Sequence, residues 1–350
     1  MALEHSANSL GDLTPLETWL AAHIEGYSGP LSVGRLSGGQ SNPTYKLSTP
    51  TQDYVLRRKP PGVLHKGAHA VEREFRLLKA LIGTNVPLPR VYALCTDAAV
   101  SGTSFYIMEY IEGRIFWDAT FPTVARAGRR QYFDAMNATL AALHMVDFVS
   151  VGLADYGPTE AYLPRQIDKW ARQYQQDDAA GRLEPMDLLI PWLAEHCPPR
   201  SEVSIVHGDF RCDNMIFDSV APSVVAVLDW ELSTLGDPLA DFAYHLMMYR
   251  LPPLGIAGLL GSDLGALEIP TEEEYTEAYC RRTGRDGIPN LRFYLVFNLF
   301  RLAAIVHGIR GRVLRGNAAP NYNRPLADAL PVIAQLAWEL ATSEKSANLA

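Results

Sequence analysis

Cysteine is scarce in this chain. Four occur in 350 residues (Cys95, Cys197, Cys212 and Cys280), far apart and with no C-x-x-C pair. The spacing argues against a disulfide framework or a cysteine-built zinc site and reads as the reduced thiols of a cytoplasmic protein. Basic residues do not prevail either: 31 against 39 acidic ones leave a formal charge of −8. That balance argues against a nucleic-acid partner. A clean apolar run is missing as well. The richest stretch, Phe293 to Ile309, is interrupted by Asn298, Arg301 and His307 and falls short of the ~20 residues a bilayer span needs. It reads as a buried helix, with no membrane partner expected. Met1 to Trp19 has no basic start followed by an apolar core, so no secretory leader is expected. Glycine and proline together make 50 of 350 residues, near the usual share, so no large disordered fraction is indicated. There is no internal repeat and no low-complexity tract.

What is present divides into two regions. At roughly 100–200 residues per domain the length suggests about two lobes. Leu31 to Leu36, Thr44 to Ser48, Tyr54 to Arg58 and Phe105 to Ile111 read as strands bounded by turn residues. Between them Ala68 to Leu81 changes to helical period, with Val71, Phe75, Leu78 and Ile82 recurring. After Glu112-Gly113 helical patterns dominate: Gly128 to His144, Leu163 to Gln176, Met186 to His196, Glu272 to Thr283, Leu291 to Ile309 and Leu326 to Ala341. Two short strands, Ser204 to Val206 and Val224 to Leu228, interrupt them. A β-rich lobe followed by a helix-rich lobe, joined near Tyr110-Ile111-Glu112-Gly113, is the expected architecture.

The strongest chemical signal is His207-Gly208-Asp209-Phe210-Arg211-Cys212-Asp213-Asn214, directly after a strand, with Val227-Leu228-Asp229-Trp230-Glu231 at a second strand end. Phosphoryl transfer needs a carboxylate to orient a hydroxyl nucleophile and oxygen ligands to hold magnesium on phosphates. Asp209 suits the first role. Asn214 and Asp229 suit the second, because Mg²⁺ takes a few hard oxygen ligands and keeps several waters. Asp, Asn and Gly are also ordinary turn residues, but the two motifs together, at this spacing, favour the chemical reading.

These motifs resemble the aminoglycoside phosphotransferase family, the small-molecule branch of the protein-kinase-like fold. Its H-G-D-x-x-x-x-N loop matches His207 to Asn214, its second metal-binding Asp matches Asp229, and the likeness covers about residues 30 to 340. The resemblance implies an α+β, two-lobed protein-kinase-like fold, with a β-rich N-lobe carrying one main helix and a larger helical C-lobe. The lobes would be residues 1–111 and 112–350, with the hinge near 109–113. It further implies ATP in the cleft, Asp209 as catalytic base, and Asn214 and Asp229 as ligands of Mg²⁺.

Other segments follow the family less closely. Gly38, Gly39, Ser41 and Asn42 lie in a turn between strands; paired glycines let a backbone approach phosphates, and the segment resembles a nucleotide-positioning loop. Kinases place a lysine on the third strand, paired with a glutamate of the next helix. Here Arg57 stands in its place, and arginine can grip phosphate oxygens bidentately. Strand alternation sets Val55 and Arg57 on one face, Val55 towards the adenine, and turns Arg58 away. Glu74, rather than Glu72, is the expected partner of Arg57. Backbone groups near Glu109 and Ile111 would meet the adenine edge. Asp237 and Asp241 read as structural, capping a helix and bracing the catalytic loop, and His144 as a packing residue.

Between Arg281 and Pro325 lie nine arginines against the single acid Asp286. Helical spacing sets Arg301 and Arg312 on one side of the long apolar helix. Arginine forks suit carboxylates and phosphates, so an anionic hydroxyl acceptor is expected, bound through Arg301 and Arg312. The segments Tyr54 to Gly62 and Leu228 to Pro238 most resemble the family branch associated with acyl-CoA dehydrogenases. That branch implies a hydroxy acid or hydroxyacyl-CoA as acceptor and a functional link to such a dehydrogenase. Phosphorylation of aminoglycosides, or a pseudokinase-like nucleotide-binding scaffold, are the competing readings.

Overall fold

Strand alternation accounts for the first sheet. The structure, a computed structural model, describes residues 3–4, 10–36, 42–60, 71–253, 257–316 and 327–343. Strands β1 (Leu3–Glu4), β2 (Ser32–Leu36), β3 (Thr44–Ser48), β4 (Asp53–Arg58), β5 (Val91–Cys95) and β6 (Phe105–Glu109) form one antiparallel sheet, in the order β1-β2-β3-β4-β6-β5. On the central strand β4, Tyr54 and Leu56 point to one face. There they pack with Leu16 and Leu20 of α1 (Thr14–His23) and with Phe105 and Ile107. Val55 points to the other face, among Met108 and Val71, Leu77, Leu78 and Leu81 of α2 (Val71–Leu81).

The buried stripe of α2 differs from the expected one. Val71, Glu74, Leu77, Leu78 and Leu81 face inwards, whereas Ile82 is 54% exposed. The stripe is rotated because it includes a charged residue, Glu74, which has an ion-pair partner inside.

After a short helix α3 (Ala98–Ser101) and β6, the chain leaves the sheet and enters a helical body. Its helices are α4 (Arg126–His144), α5 (Tyr162–Gln176), α6 (Glu184–Glu195), α7 (Pro238–Leu246), α8 (Leu264–Leu267), α9 (Glu272–Thr283), α10 (Leu291–Leu314) and α11 (Leu330–Thr342). Two small antiparallel pairs sit among them: β7 (Ser204–Val206) with β10 (Thr234–Gly236), and β8 (Met215–Phe217) with β9 (Val224–Val227). The helix α10 is long and apolar enough to cross a membrane by length and composition, but 83% of its apolar window is buried. Its neighbours are α5, α6, α7 and α11.

Sequence periodicity passed over α1, β5, β8, β10 and α7. All nine residues of α7 are buried, so no polar face marks a helical period. The strand expected over Phe105 to Ile111 ends at Glu109, and α10 runs on to Leu314.

The crossing between the two bodies is tight. Arg114 and Phe217 exchange backbone hydrogen bonds of 2.8 Å in both directions. A Cβ on Gly113 would lie 2.3 Å from the Phe217 carbonyl oxygen, so only glycine fits at that contact.

Candidate active site

Hairpin register brings the oxygen-bearing residues together. Met215 of β8 lies opposite Val227 of β9, and Leu228 N–H donates to the Asn214 carbonyl at 2.8 Å. Asn214, one residue before β8, therefore comes close to Asp229, two residues beyond β9. Asp229 has φ 64° and ψ 59°, a left-handed conformation that costs an ordinary residue about 1–2 kcal/mol. It turns the chain sharply out of the strand.

Asp209 lies in the loop between β7 and β8. Its Oδ2 accepts a hydrogen bond from Asn214 Nδ2 at 3.0 Å and its Oδ1 one from the Tyr244 hydroxyl at 2.5 Å. Both carboxylate oxygens are thus oriented. Arg211 Nε stands 3.6 Å from Oδ1.

The loop itself is braced from below. Asp241 accepts from the amides of His207 (2.7 Å) and Gly208 (2.8 Å), and meets His144 Nε2 at 3.2 Å. His207 Nε2 contacts the Leu228 carbonyl at 2.9 Å, and its Nδ1 accepts from Asp209 N–H at 3.2 Å. The proton therefore sits on Nε2, and this one ring ties the Asp209 loop to the strand end that carries Asp229. Gly208 has φ +84°, and a Cβ there would come within 2.9 Å of the Leu232 carbonyl oxygen. Asp237 caps α7, accepting from Leu239 N–H at 2.8 Å. His245 is fully buried, and burial pushes it down to about 4, so it is a neutral packing group.

The small-lobe side of the cleft centres on Arg57. Its Nε donates to Glu74 Oε2 at 2.8 Å, and its Nη2 to Asp229 Oδ1 at 2.6 Å. Glu74 also accepts from the Tyr106 hydroxyl at 3.0 Å and from Asn42 Nδ2 at 3.2 Å. Burial works against the charge on Arg57, but Glu74, Tyr106 and Asp229 outweigh it and hold the guanidinium charged. Lys59 takes Glu72 at 2.6 Å. Arg58 points the other way, donating to the Ser101 carbonyl at 2.8 Å. Val55 is buried beside Met108. Glu109 N–H is taken by the Arg90 carbonyl, whereas the backbone of Ile111 has no hydrogen-bond partner among the described residues. Gly38, Gly39 and Ser41 lie outside the described residues.

The donor set fits a hard cation. Asn214 uses its amide nitrogen on Asp209, leaving its oxygen without a hydrogen bond among the described residues, and Asp229 keeps Oδ2 in the same state. No group of three or more His, Cys, Asp or Glu able to hold a metal exists among the described residues. Two oxygens with water and phosphate completing the shell is the arrangement magnesium favours.

The arginine cluster is dispersed rather than gathered. Arg285 pairs with Glu202, Arg282 with Asp134, Arg281 with Glu277 and Arg315 with Asp177, while Arg292 donates to the Ser343 carbonyl. Three of these acids, Glu202, Asp134 and Asp177, come from segments distant in sequence, and Glu277 lies one turn away on the same helix. Arg312 is exposed near Gly308, and Arg324 is outside the described residues. Arg301, expected to bind the acceptor, is buried. Its Nη2 donates to the Gly208 carbonyl at 2.6 Å, and its guanidinium lies 4.9 Å from the Tyr244 ring and 5.6 Å from that of Trp170.

The sequence motifs do not mark Tyr244, Arg211 or Glu231. For Tyr244 a signal is there in the spacing: Asp237, Asp241 and Tyr244 stand at i, i+4 and i+7, on one helical face, from which Asp241 and Tyr244 meet the Asp209 loop.

Comparison with known proteins identifies the family and the fold. The model of the phosphotransferase enzyme family known as APH matches residues 32–294. Acyl-CoA dehydrogenase family member 10 from Mus musculus is 42% identical over 333 residues, covering 94% of this chain but only 31% of that protein. The chain thus spans about a third of the length of that relative. A provisional aminoglycoside phosphotransferase from Ralstonia eutropha JMP134 superposes with a TM-score of 0.87 at 44% identity, covering 94% of this chain and 98% of the other. Choline kinase from Cryptosporidium parvum shares the fold, with a TM-score of 0.64 at 12% identity, covering 94% and 95% of the two chains. The chain belongs to the APH phosphotransferase family and has its kinase-like fold.

Proposed function

We propose that this protein is an ATP-dependent, magnesium-requiring kinase that phosphorylates a hydroxyl on a small anionic acceptor, a hydroxy acid or hydroxyacyl-CoA. The observation that carries the reading is the convergence of Asp209, Asn214 and Asp229 at one cleft, with Arg57 facing them from β4 on Glu74. Asp209 orients the acceptor hydroxyl and takes its proton. Asn214 and Asp229 would hold the metal, whose contribution is to neutralise charge on the phosphates. Arg57, held charged by Glu74, grips phosphate oxygens, and the backbone at Ile111 offers open groups to the adenine edge.

Local charge supports an anionic acceptor. A cleft of about 610 Å³ beside α5 and the end of α10 is lined by Lys169, Arg172, Gln173, Gln176, Asp177 and Arg315. Lys169 and Arg172 are exposed and have no carboxylate partner among the described residues. Arg315 is already paired with Asp177, so Lys169 and Arg172 are the cations that would suit a carboxylate or phosphate and repel the polycations that aminoglycosides are. The acyl-CoA dehydrogenase names of the relatives support a functional link to such an enzyme, and the four free cysteines are in keeping with a cytoplasmic setting.

The test is transfer of labelled γ-phosphate to hydroxy acids, hydroxyacyl-CoAs and kanamycin-like aminoglycosides in parallel, with Asp209→Asn as control. Transfer to the acidic acceptors that disappears in Asp209→Asn is expected. Transfer to aminoglycosides alone overturns the acceptor, and failure to bind Mg-ATP overturns the kinase.

A further inference from the structure

The hydroxyl of Tyr244 reaches the carboxylate of the proposed base, Asp209. It donates to Asp209 Oδ1 across 2.5 Å, while Asn214 occupies Oδ2. Its ring is 5% exposed and lies under the Arg301 guanidinium at 4.9 Å, and Arg301 itself is tied to the Gly208 carbonyl. Tyrosine, arginine and loop thus form a closed circuit around Asp209: one member fixes the side chain, another the preceding peptide.

Burial, then the neighbouring Asp209 charge, pushes the Tyr244 phenol far above its ordinary range. The phenol keeps its proton, so it remains a donor and is a poor nucleophile. A carboxylate that activates an alcohol can equally activate water. In that side reaction water oxygen bonds to the γ-phosphorus, the bond to the bridging oxygen breaks, ADP departs and the water proton passes to Asp209. Exclusion of water from a reactive site is a recognised means of preventing such losses.

We propose that Tyr244 is a positioning residue that occupies Asp209 Oδ1 and keeps water from it until an acceptor hydroxyl arrives, so that ATP is spared from hydrolysis. The inference rests on the kinase reading and adds to it a residue that separates transfer from hydrolysis.

Tyr244→Phe deletes one oxygen and keeps the ring that Arg301 covers. The experiment measures ADP release without any acceptor in wild type, Tyr244→Phe, Asp209→Asn and the double variant, with Mg-ATP affinity by calorimetry and a thermal melt for each. Expected is an acceptor-free hydrolysis rate about tenfold higher in Tyr244→Phe, equal to ~1.4 kcal/mol of barrier. Mg-ATP affinity should stay within about twofold, and the gain should vanish in the double variant. A hydrolysis rate that is unchanged or lower in a folded, ATP-binding Tyr244→Phe overturns the role of Tyr244. Absence of Mg-ATP binding in wild type overturns the kinase reading, and this inference with it. A general loss of packing would lower hydrolysis, ATP affinity and melting temperature together, which also counts against the proposal.

Discussion

Arg57 Nη2 and Asp229 Oδ1 stand 2.6 Å apart, one supplied by the sheet of the small lobe and the other by a strand end of the large one. The guanidinium is therefore already bonded to a metal-ligand candidate. Glu74 keeps Arg57 in place from the opposite side, so under the proposed function the bond to Asp229 would be exchanged for phosphate oxygens without freeing the side chain.

Replacement of Arg57 tests this arrangement. Arg57→Ala leaves Glu74, 2% exposed, without its cation, and breaking a buried pair in this way costs about 3–5 kcal/mol. The expected outcome is a lower melting temperature together with a raised KM for ATP. Arg57→Lys should recover much of both. Arg58→Ala, on the opposite face, should leave KM for ATP unchanged; equal sensitivity at both positions would contradict the face assignment.

Asp209→Asn and Asp229→Ala should separate two roles. Loss of a positioned base lowers turnover by ~10²–10⁴, with Mg-ATP affinity nearly intact. Asp229→Ala should instead abolish the metal dependence of nucleotide binding. Calorimetry with and without magnesium checks both.

Salt and charge test the cleft beside α5. Lys169→Glu and Arg172→Glu should each raise the acceptor KM by roughly tenfold, about 1.4 kcal/mol, and leave that of ATP unchanged. Added salt should weaken acceptor binding in wild type more than in these variants, because screening acts on the charges removed. Both residues are exposed, so the fold should tolerate the change.

Asp241 gives a pH dependence of stability. Burial alone would raise its carboxyl. The His144 hydrogen bond and charge, together with the hydrogen bond from the His207 amide, overcome this and hold it below its ordinary value of 3.8. A depressed carboxyl contributes stability that is complete above the unfolded value and is lost as pH falls through the folded one. Asp241→Asn should therefore melt well below wild type at pH 7, with the gap narrowing once pH drops below about 4. Melts at pH 7 and pH 3.5 measure it.

The legible part of the site was the part whose chemistry is local in sequence. The spacing of Asp209, Asn214 and Asp229 carries their proximity, because a two-stranded hairpin spans the interval. Alternation along β4 was enough to separate Arg57 from Arg58. Arg301 could not be placed that way. It lies on a helix buried on nearly every side, so neither period nor polarity shows which neighbour its side chain meets. The arginine run misled for a related reason: its counter-charges, Glu202, Asp134 and Asp177, come from segments distant in sequence.

The clamp of Gly113 and Arg114 on Phe217 bears on how the cleft can open. With the crossing segment bonded to β8 on both sides of one residue and no room for a side chain at Gly113, the connection is a fixed pivot rather than a slack tether. An opening of the cleft would then be a rotation about that point, with Ile111, beside it, moving least and Arg57, farther along the sheet, swinging through the longer arc.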